Sequence, residues 1–215
     1  MNANLDDNQE FSWAAFGEAA VLIEVRDDTR RHQFARRLPA PDLGIQEVVT
    51  GAQSLLIRFD AHRIDASRAV AWLLSADEAT AEPPTNLLEI PVRYDGPDLH
   101  TVAEAAGVDV DEVITAHLRA TYVAEFCGFS PGFAYLSGLN LGLHLPRRRD
   151  PRTQVPAGAV AIADRYTAIY PRSSPGGWHL IGSTTAPLFD VMRSAPALIR
   201  PGDRVRFVVA SSRHR

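Results

Sequence analysis

The sequence predicts an α+β protein in two parts, and three observations carry that prediction. Up to about residue 94, short β-branched runs and two helical stretches follow one another as strand–helix–strand–strand–helix–strand, the order of a split βαβ, ferredoxin-like unit. Within this stretch Glu82-Pro83-Pro84-Thr85 cannot continue a helix and reads as a linker. From Thr121 onward, short apolar segments are broken at close intervals by glycine and proline, the spacing of a barrel or sandwich rather than a parallel sheet. The expected division is a small α+β domain over residues 11–84 and a β-rich domain over residues 85–210.

Each element has its own signal. Residues 1–10 are polar and free of periodicity, and disorder is expected there. Ala19–Val25 is short, apolar and β-branched, as a buried strand would be. Asp27 or Asp28 caps a helix running to about Leu38, where Pro39 and Pro41 stop it. Ile45–Thr50 and Ser54–Phe59 form a hairpin around Gly51-Ala52-Gln53. A second helix starts at Asp65 or Ser67, carries Val70, Trp72, Leu73 and Leu74, and fades near Ala76. Leu87–Tyr94 is again a strand, one that closes the first domain or opens the second. Two helices follow around Gly107, over residues 98–106 and 109–118. The later strands are Tyr122–Cys127, Gly158–Ala163, Thr167–Tyr170, Trp178–Gly182 and Arg204–Val209.

Composition narrows the class of partner. A net charge of −4 gives no footprint for nucleic acid or an anionic membrane. The helix pair around Gly107 could suggest a DNA reader, but its second helix opens with Asp109, Asp111 and Glu112, which repel phosphates. A membrane span needs at least 18 apolar residues in a row, and no window approaches that. Cys127 is the one cysteine, so no intramolecular disulfide can form. With no signal-peptide pattern at the N-terminus, a cytoplasmic protein is expected.

Two segments concentrate the candidate chemistry. Phe126-Cys127-Gly128-Phe129-Ser130-Pro131-Gly132-Phe133-Ala134-Tyr135-Leu136 and Tyr170-Pro171-Arg172-Ser173-Ser174-Pro175-Gly176-Gly177-Trp178-His179 each set a Ser-Pro-Gly turn beside aromatic residues. Such rigid aromatic loops suggest a binding surface. A serine hydrolase elbow is not met, because Pro131 follows Ser130 and has no N–H for an oxyanion hole. The seven histidines form no ligand-spaced pair, one cysteine cannot build a thiolate site, and no metal is expected. A phosphate loop of the Gly-x-x-x-x-Gly-Lys kind is absent. Cys127 has no flanking base and reads as a small buried hydrophobe. His179 acts as general acid or base if it faces a pocket, or points away from it if Trp178 and Leu180 face the core. Arg147, Arg148, Arg149 and Arg152 make a basic loop, and Arg152, beside the rigid Val155-Pro156-Ala157-Gly158, is the best candidate to bind a carboxylate.

Three stretches resemble one known family: Phe129-Ser130-Pro131-Gly132-Phe133-Ala134-Tyr135-Leu136, Pro151-Arg152-Thr153-Gln154-Val155-Pro156-Ala157-Gly158 and Ser174-Pro175-Gly176-Gly177-Trp178-His179-Leu180-Ile181-Gly182. The chain is similar over roughly residues 16–209 to KipI, to the B subunit of bacterial 5-oxoprolinase and to proteins called allophanate hydrolase subunit 1. The resemblance implies a cyclophilin-like β-barrel after the small α+β domain. It implies a companion protein (KipA, allophanate hydrolase subunit 2 or the C subunit of 5-oxoprolinase), with the site shared between the two. It also implies a small amide or lactam substrate, hydrolysed at a C–N bond. It further implies a complex in which ATP can be used, with no cofactor bound by this chain alone and no activity of the chain by itself. Gln154, Ala134 and Ser183-Thr184 depart from the commoner pattern and bear on the substrate, not the fold. Ala134 and Leu145-Pro146-Arg147-Arg148 lean toward the allophanate hydrolase label. On this reading the catalytic candidates are His179 and Arg152. The substrate-binding candidates are Phe129, Ser130, Gly132, Phe133, Tyr135, Pro156, Tyr170, Ser174, Gly176, Gly177, Trp178 and Thr184. The competing reading is a KipI-like inhibitor of a sensor histidine kinase, a binding module without catalysis. A prolyl isomerase would follow from the barrel alone, and fold does not fix function.

Overall fold

Alternation of apolar and polar residues builds the first sheet. The computed structural model describes residues 11–35, 37, 39–75 and 87–210. The chain falls into two compact units, the first ending at Pro83 and the second starting at Pro84. In the first unit, β1 (Phe11–Ala15), β2 (Ala20–Val25), β3 (Ile45–Thr50) and β4 (Ser54–Phe59) form an antiparallel sheet in the order β1-β2-β4-β3. Val21, Ile23 and Val25 on β2, and Leu55, Ile57 and Phe59 on β4, turn to one face. There they meet Phe34 of α1 (Asp28–Ala35) and Val70 and Leu73 of α2 (Ala66–Leu74). The Asp27 carboxylate caps α1 by accepting from the Arg30 amide at 2.7 Å, and Asp65 caps α2 by accepting from the Arg68 amide at 2.9 Å. Helix α2 ends at Leu74, close to the expected fade near Ala76, and α1 ends at Ala35, short of the expected Leu38. Leu38 and Ala76 themselves, the expected N-terminal disorder and the linker at residues 82–85 lie outside the described residues.

The ferredoxin-like layout holds with one exchange. Its outer position beside β2 is filled by β1, an element the sequence reading does not assign. The strand expected there, β5 (Leu87–Val92), instead runs parallel to the last strand of the second unit. Ile90 and Val92 point inward on β5, opposite Phe207 and Val209, and belong with Phe207 to that unit's core.

The second unit is a nearly closed barrel. Its sheet runs β12-β9-β10-β7-β6-β13-β5. The members after β5 are β6 (Tyr122–Cys127), β7 (Ala134–Ser137), β9 (Ala159–Ala163), β10 (Tyr166–Ile169), β12 (His179–Ser183) and β13 (Arg204–Val209). Arg93, just past β5, closes the ring on Ser183 of β12 with paired backbone hydrogen bonds of 2.8 and 2.7 Å. Gly182 permits this closure, since a Cβ there would collide with the Arg93 carbonyl oxygen. A separate two-stranded ribbon joins β8 (Arg152–Val155) to β11 (Ser174–Gly176). Inside the barrel, Val160, Ile162, Ile169, Ile181, Val205 and Phe207 pack with Val102 and Ala103 of α3 (Leu99–Ala106) and Val113 of α4 (Val110–Arg119). Helix α4 starts in a capping box: Asp109 accepts from the Glu112 amide at 2.7 Å while Glu112 reaches back to the Asp109 amide. Asp109→Ala is expected to cost about 1 kcal/mol, read as a lower midpoint in urea unfolding with the slope unchanged.

Candidate functional site

Barrel strand β9 has two faces, and the outer one carries the aromatic loops. Ala161, Ala163 and Leu180 on β9 and β12 leave a shallow apolar floor, over which Phe133, Tyr170 and Trp178 pack with Val155 of the β8–β11 ribbon. Their rings meet edge to face: Phe133 lies 5.3 Å from Tyr170, 5.7 Å from Trp178 and 5.1 Å from Tyr135. Phe129 joins the cluster at 5.2 Å from Phe133 yet stays largely exposed. Gly176 sits against the Tyr170 hydroxyl, where there is no room for a Cβ. Burial raises the pKa of both the Tyr135 and Tyr170 hydroxyls, keeping them protonated at neutral pH. Phe129, Phe133, Tyr135, Tyr170, Gly176 and Trp178 are therefore brought together.

An acid that the sequence reading placed only at a helix start organises the charged part. Asp98 stands at the N-terminal end of α3 but makes no capping bond. Its buried carboxylate accepts two hydrogen bonds from Arg152, at 2.8 and 2.7 Å, one from Arg148 at 2.8 Å and one from the Leu180 amide at 2.7 Å. Burial opposes the charged form of Asp98. The Arg152 and Leu180 hydrogen bonds and the two guanidinium charges outweigh that, holding its pKa below the ordinary carboxylate value. Arg152 thus makes its bidentate contact with a carboxylate of its own chain, in place of the expected ligand carboxylate. The cluster of two guanidiniums and one carboxylate keeps a net positive charge. Arg152 and Arg148 retain 24% and 30% side-chain exposure, so part of that charge reaches solvent.

His179 meets this cluster from the start of β12. Its Nε2–H donates to the Pro146 carbonyl at 2.9 Å, since a carbonyl oxygen can only accept. The His179 Nδ1 is enclosed and without a hydrogen-bond partner, as are Arg148 Nε, Ser130 Oγ and Ser174 Oγ. Trp178 and Leu180 are buried in the aromatic cluster, so strand alternation turns His179 to the opposite side of β12. The Pro146–Arg148 segment connects the two groups: Pro146 holds His179, the Arg148 amide donates to the Gly177 carbonyl at 2.7 Å, and the Arg148 guanidinium holds Asp98.

The remaining candidates lie elsewhere. Thr184 and Pro156 sit at the other end of β9, where the Thr184 amide donates to the Gly158 carbonyl and Pro156 accepts from the Ala159 amide. His179 pairs with Ile162 and Ser183 with Ala159, three residues apart on β9. Thr184 is therefore about 10 Å of strand or more from His179. Gly132, with φ of 83°, makes the β6–β7 turn. Burial pushes the Cys127 thiol up to about 11, which leaves little thiolate at neutral pH. A groove of about 490 Å³ between α4 and the 141–143 turn, lined by Asp111, Thr115 and Leu143 among others, includes none of the predicted residues. No cluster of three metal-ligating side chains exists among the described residues, and no helix there is long and apolar enough to cross a membrane.

Comparison with known proteins gives this geometry a lineage. The B subunit of 5-oxoprolinase from Escherichia coli O157:H7 is 40% identical over 205 residues, covering 89% of this chain and 93% of that protein. A more distant relative, the urea amidolyase of Saccharomyces cerevisiae, is 24% identical over 243 residues, which cover 91% of this chain and 13% of the yeast protein. The crystal structure of TTHA0988 superposes with a TM-score of 0.76 at 36% identity; it takes in 95% of this chain, which spans only 40% of that longer one. Residues 11–199 match the family described as carboxyltransferase domain, subdomain C and D. The resemblance to the group of KipI and the 5-oxoprolinase B subunit is borne out, and the chain belongs to the carboxyltransferase domain family, subdomains C and D.

Proposed function

We propose that this chain is one subunit of an assembly that opens a lactam, 5-oxo-L-proline, to glutamate with consumption of ATP. The observation that carries the reading is the 40% identity to a protein named as the B subunit of 5-oxoprolinase, over 93% of that protein's length. The urea amidolyase relative supports amide chemistry more broadly. On this reading the net positive Arg148–Arg152–Asp98 cluster receives the substrate carboxylate, and the aromatic loops cover the apolar ring carbons. His179, anchored through its Nε2–H on the Pro146 carbonyl, is the acid–base candidate beside that cluster; its enclosed Nδ1 has to be uncovered in the assembly before it can take up a proton. These groups bind and orient but form no complete catalytic set, so the rest of the site belongs to a companion subunit. The chain contains no lysine and so supplies no phosphate loop of the Gly-Lys kind; ATP is held by another device or by another subunit of the assembly.

The test measures glutamate and ADP formation from 5-oxoproline and ATP by the chain alone and by the chain co-purified with its companion subunits. Turnover is expected only in the assembly, with Arg152→Ala and His179→Ala each lowering it by about a hundredfold or more, the low end for an acid–base group. A stable assembly that turns over neither 5-oxoproline nor allophanate would sink the enzyme reading in favour of a regulatory one.

A further inference from the structure

The sequence reading gives no role to the loop between β12 and β13, yet this loop carries two of the three most exposed large apolar side chains among the described residues. Val191 is 73% and Met192 is 88% exposed, with Phe189 partly exposed at the base. The loop is built to hold them. Phe189 bridges Ala197, the Asp190 amide donates to the Pro196 carbonyl at 2.9 Å, and the Leu198 amide donates to the Leu188 carbonyl at 2.8 Å. At the tip the Asp190 carboxylate accepts from the Met192 amide at 3.0 Å, and Arg193 ties back to the Pro187 carbonyl at 3.0 Å. The result is a braced finger, preorganised before any partner arrives.

This finger is packed against the β6–β7 turn. A Cβ on Gly132 would lie 2.8 Å from Phe189 Cβ and 3.1 Å from the Leu188 carbonyl oxygen, so the two segments touch backbone to backbone. Three residues earlier Phe129 has a φ of 65°, a region that non-glycine residues seldom occupy, and its ring is 59% exposed. Two loops in contact through Gly132 and Phe189 thus carry four exposed apolar side chains, Phe129 on one and Phe189, Val191 and Met192 on the other. Exposed Phe and Met of this kind mark protein contacts rather than ordinary surface. A protruding tip cannot enclose a small molecule, which needs a concave site.

We propose that Phe129, Phe189, Val191 and Met192 form the surface on which the companion subunit docks. This rests on the assembly reading given above. Two observations select a companion subunit as the occupant. The relative at 40% identity is named as one subunit of a larger enzyme, and in TTHA0988 the matching region makes up 40% of a longer chain. Phe129 belongs both to this surface and to the aromatic cluster, so a protein seated here covers the candidate site.

The test is binding of the purified chain to its companion subunit by isothermal calorimetry, for the wild type, Val191→Asp, Met192→Asp and the double variant. Leu141→Asp, at a position 80% exposed on the 141–143 turn, is the control for charge on an exposed apolar residue. The double variant is expected to bind at least about thirtyfold more weakly (about 2 kcal/mol), with Leu141→Asp unchanged and every unfolding midpoint as in the wild type. Wild-type affinity in the double variant overturns this surface and leaves the assembly reading intact. No complex with the wild type overturns both. Loss of self-association alone in the double variant, with companion binding kept, makes this a contact between copies and also overturns the proposal.

Discussion

Asp98→Ala is expected to destabilise the second unit by about 3 kcal/mol or more, the range for removing one partner of a buried charge pair. The carboxylate accepts all four of its hydrogen bonds from Arg152, Arg148 and the Leu180 amide. Without it, two guanidiniums of like charge face each other and a buried N–H in β12 loses its acceptor. Partial exposure of both arginines lets water recover some of the loss, which holds the estimate at the low end. Asp98→Asn keeps one acceptor oxygen and is expected to cost less. Urea unfolding of wild type, Asp98→Ala and Asp98→Asn checks the order. A loss below about 1 kcal/mol in the alanine variant would show that the three side chains do not brace the barrel. If activity in the assembly falls in both variants while stability falls only in the first, Asp98 also positions Arg152 for substrate.

The contrast between Asp98 and Arg152 shows where the sequence was readable. Arg152 stood out because arginines crowd residues 147–152 beside a rigid Val-Pro-Ala-Gly run. Asp98 did not, because an acid at a helix start is ordinary and its partners lie 50 and more residues away. The signal available was indirect: a run of arginines in a barrel loop needs a counter-charge. The fold shows the same divide. β3, β4, β6 and β13 take the bounds that their apolar runs predict, since β-branched alternation is a local property. β8 and β11 were missed because Ser174-Pro175-Gly176 carries only turn residues, and its strand geometry comes from pairing with Arg152–Val155. β7 was hidden within an aromatic stretch read as loop, though Ala134 and Leu136 turn inward in alternation. The aromatic cluster was legible as a group of residues, whereas the turn of His179 away from Trp178 depended on which face of β12 the barrel buries.

Stability is expected to fall steeply on acidification below pH 6.5, and His117 is the group responsible. Its ring lies wholly inside the barrel, stacked 4.5 Å from Phe207 and beside Tyr122. The Thr167 hydroxyl donates to the Ala161 carbonyl, so its oxygen accepts from His117 Nε2–H at 2.9 Å, and the Tyr94 hydroxyl donates to Nδ1 at 2.8 Å. Neutral imidazole satisfies every partner. Burial lowers its pKa from 6.5 to about 3. Tyr94 and Tyr122, the titratable side chains at the ring, are themselves pushed up by burial and carry no charge to stabilise an imidazolium. Between those two pH values the unfolded chain binds a proton that the folded chain does not. The contribution is intact above pH 6.5 and declines at about 1.4 kcal/mol per pH unit below it, reaching a loss of about 2.7 kcal/mol at pH 4.5. Carboxylates titrate in the same interval, so the measurement is a difference. Urea unfolding at pH 7.5 and 4.5 is compared for wild type and His117→Gln, which cannot take up the proton. The variant is expected to start less stable and to lose about 2.7 kcal/mol less across the interval. Parallel losses in the two proteins would show that His117 is not the acid-sensitive group of the barrel.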